Sequence, residues 1–265
     1  MDPNASPLET IEPGPIQPPL ELAPAPDGPW YEDPRTWGAI GQVILVCGIP
    51  TQVFLSLVVW AMGVPIMNGP DQSLQFVAIV SFLDTALIAA LVRGFLTASG
   101  ERATDVLLGQ RSSWREALIG FSLIPVVLIA VGVVVLSLRT LVPLLHNVPE
   151  SPLEAFMRTP FDAALFLVVV VIAGGVREEM QRAFILHRFE QRLGGIRVGL
   201  VVFSLLFGAL HLMQGIDVAI GIGLLGLFWG VLYIRRRSII APLVNHAGFN
   251  AAQVVQVLVS RAAGL

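Results

Sequence analysis

Four places along the chain set ionisable or amide side chains inside otherwise apolar stretches: Asp84, the Arg177-Glu178-Glu179-Arg182 cluster, His211, and His246 with Asn250. An ionised side chain at the centre of a membrane helix costs on the order of 3 kcal/mol, so each of these needs a reason to be there. A carboxylate pair with two imidazoles is a hydrolytic set. Glutamate serves as general base towards water, histidine holds that water or a metal ion, and an amide donates to an oxyanion. Arg182, at i+4 from Glu178 and i+3 from Glu179, is spaced to pair with either and keep it ionised at depth. Asp84 stands alone and reads as a packing or cavity-lining acid. His187 and His146 fall near the ends of apolar stretches and read as solvated.

The elements that must carry these residues are long apolar helices. About 20 residues are needed to cross roughly 30 Å of hydrocarbon, and seven stretches approach that length: 38–64, 73–97, 116–142, 161–190, 196–214, 216–235 and 238–261. The fourth and fifth meet at Leu193-Gly194-Gly195, with Glu178 16 residues before Gly194 and His211 16 after Gly195. At the helical rise both lie about 24 Å from the turn, which predicts one depth in an antiparallel hairpin. His246 and Asn250 share a helix face at i, i+4 and lie about 12–20 Å beyond the Arg235-Arg236-Arg237 cluster, towards the same level.

Composition agrees. Of the 265 residues, 55% are hydrophobic and 13% charged, with mean hydropathy +0.76; an average soluble protein carries about 25% charge. All 16 basic residues are arginine, and a net charge of -3 gives no basis for nucleic-acid binding. The single cysteine, Cys47, leaves no partner for a disulfide. Residues 1–36, rich in proline and acid, are predicted to be a disordered tail, and residues 37–265 a membrane domain. With the N-terminus inside, Arg35, Arg93, Arg102, Arg111, Arg115, Arg188, Arg192, Arg197 and Arg235 to Arg237 fall on inner segments. Arg139, Arg158 and Arg261 fall on outer ones, as the positive-inside rule requires. Trp37, Trp114, Trp229 and Tyr233 near inner ends, and Trp60 near an outer end, read as an interfacial belt. The expected architecture is all-α, a polytopic bundle of about seven transmembrane helices.

In order and in element, the motifs resemble the CAAX-protease and bacteriocin-processing family of intramembrane endopeptidases. Its double glutamate, Phe-x-x-x-His and His-x-x-x-Asn read here as Glu178-Glu179, Phe207 to His211, and His246 to Asn250. The resemblance covers about 160–255. One spacing departs: the family's arginine follows the glutamate pair after three residues, whereas Arg182 follows after two, with Ala183 in the usual place. Matching the glutamates as a pair gives Glu178 the family's principal catalytic position. Keeping the spacing to the arginine gives Glu178 the second position and Arg177 the first.

The resemblance implies hydrolysis of peptide bonds in or beside the bilayer, with Glu178, Glu179, His211, His246 and Asn250 catalytic and Arg182 and Phe207 supporting. It implies CAAX-type C-terminal processing or bacteriocin-related processing or immunity, in a multi-pass protein of a bacterial plasma membrane with a cytoplasmic N-terminus. Partners would be the lipid bilayer and a membrane-associated peptide or protein. Two mechanisms fit the family. In one, zinc is held by His211, His246 and Glu178, although the HExxH arrangement of helical zinc proteases is absent. In the other, Glu178 and His211 activate water while His246 and Asn250 stabilise the oxyanion, and this is the preferred expectation. A non-proteolytic adaptor or immunity protein and an ion or proton-coupled transporter are the alternatives. A transporter would spread its ionisable groups along a path; here they cluster, apart from Asp84.

Three other signals are set aside. Gly221 to Gly226 spells GxGxxG within an apolar run and without a preceding strand, so small-residue helix packing is expected there. No GxSxG elbow occurs, and Ser204 reads as a packing serine. The arginine triplet at 235–237 is adequately explained by topology.

Overall fold

A computed structural model describes residues 32–149 and 151–264. The expected tail lies almost wholly outside the described residues. The first helix, α1 (Pro34–Val46), begins on an Asp33 cap whose carboxylate accepts from the Arg35 N–H, with proline in the first turn where no donor is lost. It breaks at Gly48, whose φ of 89° lies in the left-handed region, and restarts as α2 (Ile49–Ala61), bent by 45°. The break frees the Val46 carbonyl, which accepts from the side-chain amide of Gln181 at 2.6 Å.

A two-residue hairpin, β1 (Met67–Asn68) and β2 (Asp71–Gln72), leads into α3 (Leu74–Ala98), capped by Ser73. The short α4 (Ala103–Leu107) precedes α5 (Ser113–Ser122) and α6 (Ile124–Leu141). Then α7 (Pro160–Val169), started by a Thr159–Asp162 capping box, runs through a π-helical stretch (Val170–Arg177) into α8 (Glu178–Arg192). The chain ends with α9 (Ile196–Ala209), α10 (Ile216–Arg236) and α11 (Ile240–Ala262).

All seven apolar stretches are helical, and the all-α bundle stands. Length and apolarity alone confirm fewer than seven crossings. Among the described residues four helices are long and apolar enough to span, namely Leu74–Ala98, Ser113–Leu141, Pro160–Arg192 and Ile216–Arg236, or five if the bent α1–α2 pair is one span. The α9 helix stops at Ala209, and its 14 residues cover about 21 Å, short of the hydrocarbon thickness. Asn245, His246, Asn250, Gln253 and Gln256 dilute the apolarity of α11.

At the centre stands α8, buried without interruption from Glu179 to Arg188. Its apolar side packs with Val46 of α1 and with Ile88, Val92 and Leu96 of α3, and its Ala183 and Leu186 pack with Leu200 of α9 and Tyr233 of α10. A second core joins Val127, Phe207, Leu225, Trp229 and Phe249. The outside is apolar: α6 exposes Val126, Ile129, Val133 and Leu136. A bundle with charges within and large aliphatic side chains without is organised for lipid as solvent. Between α9 and α10 the glycines do what small residues were expected to do. A Cβ at Gly226 would lie 3.1 Å from the Phe207 ring, and one at Gly208 would lie 2.8 Å from the Ala219 carbonyl.

Candidate active site

The π-helical stretch places the site. A π-turn widens the helix and leaves a carbonyl to be claimed from outside; that of Val170 accepts from the Asn250 side-chain amide at 3.2 Å. Gly174 and Gly175 let α11 come close, since a Cβ on Gly175 would lie 2.8 Å from that of Ala247. Asn250 and His246, one turn apart on α11, therefore face the start of α8, where the two glutamates stand.

Those glutamates have unlike surroundings. Glu179 is 1% exposed; its Oε1 takes an ion pair from Arg182 and a 2.8 Å hydrogen bond from His246 Nδ1. Arg182, wholly buried, is enclosed by the faces of Phe203, Phe207 and Trp229 at 5.0, 5.1 and 5.5 Å, a cation–π cage that offsets its desolvation. Of the two pairings its spacing allowed, Arg182 makes the i, i+3 one. Glu178 keeps 16% of its side chain exposed, and its Oε2 lies 3.8 Å from His246 Nε2.

His246 is held on three sides. Trp229 stacks on it with centroids 3.6 Å apart and planes at 18°, and Phe207 meets it edge-on at 6.1 Å. The indole N–H of Trp229 donates to Asn245, whose amide donates to the Gly120 carbonyl. Thus α10, α11 and α5 together fix one imidazole. Trp229 is not part of an interfacial belt, and neither is Tyr233, which is buried and donates to the Val106 carbonyl. Trp37, Trp60 and Trp114 are exposed.

His211 lies not within a helix but in the turn after α9, half-buried, because that helix has already ended. Its Nδ1–H donates to the Phe207 carbonyl at 2.7 Å, which leaves Nε2 uncommitted among the described residues. It joins the group through Phe207, whose ring lies 5.0 Å from its own.

Asp84 is not a lone packing acid. It is fully buried and accepts from Arg177 at 2.6 Å, and the second terminal nitrogen of Arg177 reaches Glu178 Oε1 at 3.3 Å. With its amide oxygen turned to the guanidinium, Gln52 accepts from both terminal nitrogens. Sequence spacing could not find this, because Asp84 and Arg177 are 93 residues apart; the missed signal was that each is costly alone and that their charges are opposite.

The other two histidines are also paired rather than solvated. His187 is buried against Glu101 at 2.5 Å, and His146 meets the buried Asp217 at 3.1 Å beside Arg139. In the arginine triplet, Arg236 holds the buried Glu116 and Arg237 holds Glu190. Ser204 is buried, and among the described residues its hydroxyl has no partner, as in a packing residue.

Among the described residues no three His, Cys, Asp or Glu side chains are grouped to hold a metal ion. His211 enters only through Phe207, whose ring separates it from His246. The set of Glu178, His211 and His246 does not fit a zinc site in this arrangement.

A lipid-facing helical bundle with glutamates, arginines and histidines enclosed at its centre defines a multi-pass membrane protein with an internal polar site. Residues 160–252 match the family model described as type II CAAX prenyl endopeptidase Rce1-like, in agreement with the resemblance carried by the motifs. The match runs from α7 into α11 and includes Glu178, Glu179, His211, His246 and Asn250. No curated protein and no solved structure gave a significant match. At family level the match supports hydrolase activity as a CAAX-type intramembrane protease.

Proposed function

We propose that the chain is an intramembrane endopeptidase in which Glu178 is the general base for water attack on a peptide bond of a membrane-associated substrate. The observation that carries this reading is the contrast between the two glutamates. Glu179 is enclosed and neutralised by Arg182, whereas Glu178 is reachable and opens towards His246. Glu178 takes a proton from water as the water oxygen bonds to the carbonyl carbon, and His211 Nε2 accepts from the other water hydrogen. His246, braced at Nδ1 by Glu179, and the second N–H of Asn250 face the developing oxyanion. Collapse of the tetrahedral species breaks the C–N bond, and Glu178 returns its proton to the leaving amine. Glu179, Arg182, Trp229 and Phe207 hold His246 still.

The substrate reading is CAAX-type processing at a lipidated C-terminus, with bacteriocin-related processing as the other member of the same class. The orientation that fits the arginines puts the N-terminus on the cytoplasmic side. The transporter reading loses its one supporting outlier, since Asp84 lies in the same cluster as Glu178. The test is cleavage of a farnesylated CAAX-type peptide by the purified full chain in detergent or liposomes. Glu178→Gln and His211→Ala should each lose activity by at least ~100-fold while keeping the wild-type helical signal. Full activity in both variants overturns the assignment, and rescue of deletion cells by Glu178→Gln would point to an adaptor.

A further inference from the structure

We propose that Arg177 and Asp84 form a positioning pair for Glu178, with α3 setting the aim of the base on α8. The inference rests on the reading of Glu178 as base. A buried arginine at membrane depth needs a counter-ion, and Asp84 supplies one at 2.6 Å. Neutrality alone would be met by these two side chains facing each other. Instead the guanidinium spans further: its second terminal nitrogen holds Glu178 Oε1 at 3.3 Å, and Gln52 of α2 accepts from both terminal nitrogens. Arg177 is thus fixed from α2, from α3 and through its own backbone at the end of the π-helical stretch.

The consequence for Glu178 is directional. With Oε1 held by Arg177, the carboxylate turns Oε2 towards His246 Nε2. The unequal distances matter as well. Asp84 takes the closer contact and Glu178 the longer one, so the base is oriented without becoming the main counter-ion of Arg177. Among the described residues Asp84 Oδ1 and Arg177 Nε have no partner, so the pair is joined at one edge and the guanidinium is not locked in a two-toothed fork with Asp84. A geometric error of about 1 Å at a reacting group is enough to cost ~100-fold in rate, so a guanidinium that fixes one carboxylate oxygen has leverage on turnover without touching substrate.

The test separates positioning from simple charge burial. In Asp84→Asn with Arg177→Gln the buried charges are removed together, which spares the fold an unpaired ion and still takes the guanidinium from Glu178. With the purified full chain and the farnesylated peptide, the double variant should melt close to wild type and keep KM within ~3-fold. Its kcat should fall by ~30-fold or more. Arg177→Lys, which keeps a charge for Asp84 but loses the planar reach to Glu178, should show the same split in milder form. Wild-type kcat in the folded double variant, or in folded Arg177→Lys, overturns the proposal if Glu178→Gln is inactive in the same assay. Should wild type fail to cleave, or Glu178→Gln cleave fully, the reading of Glu178 as base falls and this proposal falls with it.

Discussion

Glu178 and Glu179 are adjacent in the chain but lie on different faces of α8, about 100° apart around the axis. The face of Glu179 meets Arg182 and α11; the face of Glu178 meets Arg177 and the side that stays partly open. Removing the charge of Glu179 should therefore act on stability first. Glu179→Gln leaves Arg182 buried among Phe203, Phe207 and Trp229 without its anion, and loss of one partner of a buried pair costs about 3–5 kcal/mol. A large drop in melting temperature in detergent is expected, against little change for Glu178→Gln; equal melting of the two variants would contradict the division of roles. The residue types of the site were legible in the sequence. Their partners were not, because Asp84, Trp229 and Asn245 reach the site from elements whose packing no local spacing encodes.

At the scale of elements, the π-helical stretch and the early end of α9 decide the geometry. The stretch is glycine-rich where α11 crosses it, and this contact sets His246 against the glutamates. Gly175→Leu adds a side chain whose first atom would already lie 2.8 Å from Ala247. Overpacking of this kind costs typically 1–3 kcal/mol, and here it should also pry α11 from α8. The expected result is a sharp loss of cleavage with retained helix content; unchanged activity would show that the α8–α11 approach is not critical. The depth argument from the Gly194-Gly195 turn placed His211 near the level of Glu178 but assumed a helix running past it. The helix ends at Ala209 instead, and a 3-10 turn leads on to Gly215, the cap of α10, so His211 stands outside the regular helical ladder.

Over the whole molecule, charge lies inside and at the ends of the bundle, and lipid-compatible side chains face outward. One of these end clusters gives a pH dependence with a defined sign. Burial by itself would raise the Glu101 carboxyl, but hydrogen bonds from His187, Arg188 and Gln191 and the charge of His187 hold it down, from 4.5 to about 2. A carboxyl lowered in the folded state stabilises fully above its unfolded value and loses that contribution as pH falls towards the folded one. Melting temperature in detergent should thus drop between pH 4.5 and about 2. Glu101→Gln should start lower at neutral pH and show a shallower acid decline; a wild-type decline in that variant would assign the transition to other groups.

The sequence by itself determined the all-helical membrane class and the order of the motifs, and it named Glu178, Glu179, His211, His246 and Asn250 as candidates. Apolar run length and the cost of burying charge act locally and can be read from one chain. Only the tertiary structure decided how many helices are long enough to cross, which glutamate is enclosed, and that Asp84 belongs with Arg177. Those outcomes depend on which helix faces meet, and a buried ion is explained only when the opposite charge, 93 residues away, is packed against it.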